Sequence, residues 1–383
     1  MVWTTQWFAL TSSQRTSLPT LELDKALNFM TYFLVDFKFY TLFAMLFGLG
    51  FAMQLSRTSM TGRSFLPVYV RRLSILFFIG ISHAFLIWFG DILHLYAIVG
   101  FVLILFHKLS DKAILRWAVC LALLTSLMPF LHSIGLTDFN AREAADGMST
   151  ATRFAALASG DWSDIVRVNS SFMREQYTQF EIGFDSTLYL YLSVLWKVLI
   201  GFVIGRQMLL QNAGEHLSVY RRVLPWAAFV GIAGNAYLAA AAWFFDTSLP
   251  DQSSVPSSLS WIIVEVSFFA LSMAYLVSLV ILYQKPQWRK RLVFLAPVGR
   301  MALTNYLLQS VIIVFLFYGV GLNLLGKVGA SVCVVLSLVV FGCQMAISQW
   351  WLKRFRFGPM EWVWRCLTYG KRQPFRLTAM DTT

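Results

Sequence analysis

Charge is what this chain lacks most. Asp, Glu, Lys and Arg make up 13% of its 383 residues, whereas hydrophobic residues make up 58%. Mean hydropathy is +0.64. Soluble domains carry roughly a quarter charged residues, so a water-soluble protein is excluded. Cysteine is sparse as well: Cys120, Cys333 and Cys343 fall in apolar runs and Cys366 in a basic tail. No CxxC or Cys/His spacing joins them, so neither disulfides nor a metal site is expected. No Gly-rich phosphate loop, HExxH motif or nucleophile elbow is present. The N-terminus, Met1-Val2-Trp3-Thr4-Thr5-Gln6-Trp7, has neither the basic region nor the apolar core of a signal peptide.

What the chain has instead is long apolar runs. About nine of them approach or reach the ~20 residues that cross the hydrocarbon core as a helix. They lie near 39–55, 73–90, 92–106, 113–135, 186–205, 224–245, 260–283, 301–321 and 329–351. The runs are continuous rather than alternating, which selects helices over a closed barrel. The expected fold is an all-α, polytopic transmembrane bundle with the lipid bilayer as its first partner.

The net charge of +12 belongs to the connectors and does not call for nucleic acid. Basic residues collect in 56–72 (Arg57, Arg63, Arg71, Arg72), 107–112, 206–223, 284–300 (Lys285, Arg289, Lys290, Arg291, Arg300) and the tail from Lys353. The alternate connectors are neutral or acidic. In 136–185, Asp138, Glu143, Asp146, Asp161, Asp164, Glu175, Glu181 and Asp185 outnumber Arg142, Arg153, Arg167 and Arg174. The positive-inside rule then places the C-terminus in the cytoplasm and the N-terminus of this chain outside. Within 136–185, Asp161 and Asp164 read as an N-cap and first-turn acid. Trp162, Ile165, Val166, Phe172, Tyr177 and Phe180 give that helix an apolar face. It lies on the outer membrane surface or packs over the ends of the spans.

Ionisable groups inside apolar runs are costly, and each is a candidate for function. The richest stretch is Ile81-Ser82-His83 through Gly90-Asp91-Ile92-Leu93-His94. Asp91 could accept a proton, orient a histidine or cap the third span. His94, three residues on, could act as a base beside it. His83 lies about two turns before Gly90, with Gly80, Ser82 and Ala84 around it to favour close packing. Asn305 and Gln309 share a face of the eighth span, as substrate ligands or helix glue. Arg300 at its mouth could hold a donor phosphate or a lipid headgroup. Asp36 and Lys38 bound the first span on the outer side, and Glu265 is the lone acid well inside a run. Gly201 and Gly205, four apart, mark a helix contact.

Several motifs occur in a fixed order: Lys38-Phe39-Tyr40-Thr41-Leu42-Phe43 to Gly48-Leu49-Gly50-Phe51, Arg71-Arg72-Leu73, Gly90-Asp91-Ile92-Leu93 with Tyr96-Ala97, Gly299-Arg300-Met301-Ala302-Leu303-Thr304-Asn305-Tyr306 and Phe357-Gly358-Pro359-Met360-Glu361-Trp362. This set resembles the YeiB-like bacterial inner-membrane family, known as domain of unknown function 418. The resemblance divides the chain into an N-terminal membrane part (1–135), a periplasmic helical connector (136–185) and a C-terminal YeiB-like membrane domain with a basic tail (186–383). It implies one further span with an Arg-Gly pair, and the chain is expected to begin after it.

The family is distantly similar to transmembrane acyltransferases. That implies transfer of an acyl group from a cytoplasmic acyl-CoA-type donor to a periplasmic or lipid-linked acceptor. His83, Asp91 and His94 would then be catalytic, Arg300, Asn305 and Gln309 donor-binding, and Asp36 and Glu265 secondary. The sugar acetyltransferases among them carry an essential histidine in the first outer loop; residues 1–36 hold none, so that mechanism does not carry over unchanged. The alternatives are a proton-coupled transporter or flippase, with His83, Asp91 and Glu265 along a path, and a non-catalytic membrane partner protein.

Overall fold

The apolar runs fold as helices in a computed structural model that describes residues 19–60, 65–134, 150–158, 160–178, 186–245 and 255–377. The helices are α1 (Leu21–Leu34), α2 (Lys38–Met60), α3 (Phe65–Leu86), α4 (Leu93–Leu103), α5 (Asp111–Ser133), α6 (Thr150–Leu157), α7 (Trp162–Thr178) and α8 (Ser186–Arg206). They continue with α9 (Leu217–Phe245), α10 (Val255–Tyr283), α11 (Pro286–Leu292), α12 (Ala296–Arg300), α13 (Ala302–Phe317), α14 (Ala330–Leu352) and α15 (Pro359–Tyr369). No strand of more than an isolated bridge occurs among the described residues. Of the acids of connector 136–185, Asp138, Glu143, Asp146, Glu181 and Asp185 lie outside the described residues, as does Phe180.

Seven helical segments are long and apolar enough to cross a membrane, and an eighth counts if α11–α13 form one span with a 72° bend. They fit a multi-pass membrane protein. The third of the nine expected runs, 92–106, is the short helix α4 extended by a 3-10 turn at Ile104–Phe106. At 1.5 Å per residue it reaches only about two thirds of the way across a ~30 Å core. The run expected at 73–90 starts earlier, at Phe65, so Arg71 and Arg72 sit inside α3 rather than in a connector.

The first candidate span combines α1 and α2, broken at Asp36-Phe37. Phe37 has φ +63°, a conformation that costs a bulky residue energy. Its ring stacks on Phe268 of α10 at 5.2 Å. Lys38 follows, fully buried; its Nζ donates to Tyr32 O at 2.6 Å and lies 4.3 Å from the Phe268 ring centre. Asp24, also fully buried, accepts the Ser331 amide at 2.7 Å and so caps the start of α14 from a distant part of the chain.

The main core lies where α2 packs on α8, with α3, α4 and α5 alongside. That approach depends on glycines. A Cβ on Gly201 would collide with the Met45 carbonyl, one on Gly48 with the Val198 carbonyl, and one on Gly205 with Ala52 and Leu49. The Gly201/Gly205 spacing therefore marks the helix contact expected of it. Helix α7 starts at its Asp161 cap, where Asp161 Oδ1 accepts the Ser163 amide at 2.8 Å. That bond holds the exposed Asp161 carboxyl below its ordinary range. The helix packs over the ends of other helices: Phe172 stacks on Phe89 at 3.9 Å, Asn169 donates to Phe85 O, and Ile165 and Val168 join Phe317 and Tyr318 in a buried cluster.

Overpacking a tight contact typically costs about 1–3 kcal/mol. Gly201→Leu should lower the melting temperature of the detergent-purified protein clearly, and Gly342→Ala, whose Cβ meets nothing, should leave it unchanged. Equal melting curves would remove the glycine contact as a determinant of the fold.

Candidate functional site

Helix α3 ends at Leu86, where the Ile87 and Trp88 amides both return to His83 O at 2.9 Å. The chain then turns through Gly90 and Asp91 into α4. The Asp91 side chain points back into this turn and is fully buried. Its Oδ2 accepts the His94 amide at 2.9 Å and meets His94 Nδ1 at 2.8 Å. Its Oδ1 meets His83 Nδ1 at 2.8 Å and accepts the Tyr306 hydroxyl at 3.2 Å. One carboxylate therefore caps α4, orients two imidazoles and anchors α13. Asp91 is not on the helix with His94 but just ahead of it, so the pairing arises from a capping turn rather than a shared helical face.

The geometry implies a tautomer. A neutral imidazole whose Nδ1 faces a carboxylate carries its proton there, leaving an accepting lone pair on Nε2. Both Nε2 atoms are buried with no hydrogen-bond partner among the described residues. Asp91 itself stands in the connector between helices. Burial would raise its carboxyl, but the bonds from His83, from the His94 ring and from the His94 amide outweigh burial and hold it below the ordinary carboxylate range. Gly80 makes the arrangement possible, because a Cβ there would strike the His94 backbone and Asp91 Oδ2. Tyr306 is locked from both sides, since its hydroxyl also accepts the Ile92 amide at 3.2 Å.

Tyr306 is also part of the wall of a large cavity of about 830 Å³, within the size range of small-molecule sites. Aromatic and aliphatic side chains such as Phe43, Phe47, Leu76 and Tyr96 make up most of its lining. Glu265 and Lys197 face it as a buried pair, Nζ to Oε2 at 3.1 Å. Ser193 donates to Glu265 Oε1 at 2.9 Å, Tyr189 donates to the same oxygen, and Lys197 also donates to Ser193 at 2.6 Å. Glu265 is thus fully engaged. Its partner Lys197 was not among the sequence candidates, although a lone lysine in Leu195-Trp196-Lys197-Val198 is a visible signal.

The remaining candidates divide. Gln309 and Asp36 line the cavity. Asn305 does not: it donates to Ser348 Oγ at 3.0 Å and to Val298 O at 3.2 Å, and its carbonyl accepts Gln344 at 2.8 Å, which ties α13 to α14. Arg300 is exposed, and its guanidinium donates to Arg356 O at 3.3 Å. The bend at Met301 carries it away from the cavity that Gln309 faces. Lys38 makes no ion pair with Asp36 within salt-bridge distance; it bonds to Tyr32 O instead.

The family model for Protein of unknown function (DUF418) matches residues 204–371. Uncharacterized protein YxaH of Bacillus subtilis is 33% identical over 362 residues, covering 92% of this chain and 84% of that protein. The chain belongs to the DUF418, YeiB-like family. Uncharacterized protein YeiB of Escherichia coli is 30% identical over 355 residues, covering 88% of this chain and 83% of YeiB. An uncharacterized 39.9 kDa protein of Bacillus acidopullulyticus is 26% identical over 348 residues. No solved structure matches. The DUF418 match holds Glu265 and Tyr306, whereas Lys197, His83, Asp91 and His94 precede it. Both polar clusters are therefore built across the edge of the matched region.

Removing one member of a buried ion pair costs about 3–5 kcal/mol, while replacing both with apolar groups can be neutral. Lys197→Met should destabilise the protein strongly in thermal melting, and Lys197→Met/Glu265→Leu should recover most of the loss. A double variant as unstable as the single one would show that the pair is not what the site needs.

Proposed function

We propose that this DUF418 protein is a membrane acyltransferase. The observation that supports it is the Asp91 carboxylate, held between two imidazoles with unpartnered Nε2 atoms and joined through Tyr306 to an apolar cavity. The donor would be an acyl-CoA-type thioester from the cytoplasm, and the acceptor a hydroxyl or amine on a periplasmic or lipid-linked molecule. The membrane would be the bacterial inner membrane, with the C-terminus in the cytoplasm.

In the reaction, His83 or His94 takes the acceptor's proton at Nε2 as the acceptor oxygen or nitrogen attacks the thioester carbonyl. Asp91 stabilises the imidazolium that forms and fixes the ring. The C–S bond then breaks and the proton passes to the departing thiolate, giving acylated acceptor and free thiol. The apolar cavity holds the acyl chain. Gln309, rather than Arg300, is the donor-binding candidate that faces it.

Transport is the second reading, and the Lys197–Glu265 pair on the cavity wall favours it, because paired ionisable groups inside a membrane mark ion and proton routes. The two readings separate in proteoliposomes supplied with long-chain acyl-CoA and a bacterial lipid extract, with thiol release and acylated products followed by mass spectrometry. Wild-type protein should turn over. Asp91→Asn, which retains an oxygen for the His94 amide but no second acceptor for His83 and Tyr306, should lose about 100-fold or more of the rate and part of its thermal stability while still purifying folded. His83→Gln and His94→Gln should fall unequally, the larger loss marking the base. No turnover in wild type, together with proton flux that Glu265→Gln abolishes, would replace transfer by transport.

A further inference from the structure

The charge at the opposite end of the cavity takes no part in that chemistry. Arg72 and Tyr69 both line the cavity, and their spacing of three residues puts them on one face of α3. Tyr69 is 3% exposed, and its hydroxyl has no hydrogen-bond partner among the described residues. The Arg72 guanidinium lies 4.0 Å from the ring centre of Trp364 in α15, whose indole N–H donates to Arg72 O at 3.0 Å. Arg153, Lys197 and Arg206 each meet a carboxylate, but Arg72 enters no ion pair among the described residues. Its charged neighbour is Arg365, which repels it. Arg71 donates to Thr368 O at 3.2 Å on the same helix. Glu361, the acid of α15, is occupied by the Thr304 amide and hydroxyl.

Arg72 is half-buried on the cavity wall with no countercharge among the described residues, so its guanidinium is open to an anion. Here an unpaired guanidinium and a buried phenol with a free donor stand on the wall of one apolar cavity. That combination suits an amphiphile with a multiply charged head, and a guanidinium fork matches phosphate oxygens well. We propose that Arg72 and the Tyr69 hydroxyl bind the phosphate of an amphiphilic ligand whose apolar chain runs along the cavity toward Tyr306. The proposal rests on the cavity as the substrate site, but not on chemistry at Asp91.

Two kinds of molecule carry this chemistry, a long-chain acyl-CoA and an acylglycerol phosphate, and the test uses both. Full-length protein in a neutral detergent is titrated with each, with monoacylglycerol and fatty acid of the same chain length as controls, and followed by thermal shift and thermophoresis. At least one phosphate amphiphile should bind saturably, more weakly at high salt, and at least about tenfold more tightly than either control. Preference between the two identifies the source. Arg72→Gln should weaken binding tenfold or more. Tyr69→Phe should weaken it severalfold without loss of stability, because its hydroxyl holds nothing in the fold. If Arg72→Gln does not fold, Arg72→Lys and Tyr69→Phe decide the matter. Asp91→Asn should bind as wild type does, so binding that persists without acyl transfer sinks the enzyme reading alone. Equal affinity for the phosphate-free controls, or unchanged affinity in Tyr69→Phe and the Arg72 variant, would overturn the phosphate site.

Discussion

A carboxylate withdrawn from water among apolar helices carries a desolvation penalty of several kcal/mol. At Asp91 this penalty is offset by four hydrogen bonds drawn from three places: the end of α3, the first turn of α4 and the middle of α13. None of those elements could be placed elsewhere without leaving part of the charge unmatched. The short helix α4 shows why this matters. It is too short to be fixed by the bilayer, so its position must come from its ends and its packing. Asp91 supplies the cap, Gly80 admits the close approach, and Tyr306 ties the whole turn to a helix more than two hundred residues away.

The second buried acid is matched by different means. Glu265 meets a full countercharge in Lys197, with Ser193 and Tyr189 occupying its other oxygen. A pair neutralised this way holds helices together and can carry a proton, but it leaves no basic atom free. The Asp91 cluster leaves two, the Nε2 atoms of His83 and His94. That difference is the reason for assigning proton transfer to the histidine cluster and a supporting or transport role to the ion pair. Arg72 is different again. It is a half-buried cation on the cavity wall that rests on the Trp364 ring, and a cation–π contact of about 2 kcal/mol does not replace an anion.

Much of the fold was legible in the sequence because bilayer physics writes it there. Nearly every apolar run became a helix, and the acid at 161 capped its helix as its position suggested. The miscounts have physical causes. Run 92–106 is apolar but short, and run 301–321 gives only the 16-residue helix α13, joined at Met301 by a bend to α11–α12 that composition does not reveal. The basic pair Arg71-Arg72 was read as connector because charge is usually excluded from spans, yet long side chains can place their heads at the interface or in a cavity from within a helix. The grouping of His83, Asp91 and His94 was accessible because it forms within one local turn. Lys197 with Glu265, and Tyr306 with Asp91, join helices far apart in the chain. Such pairings depend on the rotation and depth of each helix, which a single sequence does not specify. The same limit left two roles open for Arg300 and Asn305: both are polar and close in sequence to Gln309, and the structure puts one at the surface and the other in the α13–α14 contact, as helix glue.

Capping a helix and orienting an imidazole can be regarded as rival roles for an aspartate at a helix start, and here one geometry serves both. By accepting the His94 amide, Oδ2 fixes the carboxylate plane relative to α4, which leaves Oδ1 aimed at α3 and at Tyr306. An uncapped aspartate would rotate about its side-chain bonds, and each imidazole would lose the partner that sets its tautomer. The entropy of orienting the acid is therefore met by the same bond that starts the helix. A site assembled this way needs no additional ordering when a substrate arrives, which is what preorganised catalysis requires. It also explains how a chain with so few charges can support polar chemistry inside an apolar bundle. Asp91 is held by side chains and a backbone amide that also start and join helices, and Glu265 by a countercharge and two hydroxyls, so these interior charges are matched within the fold.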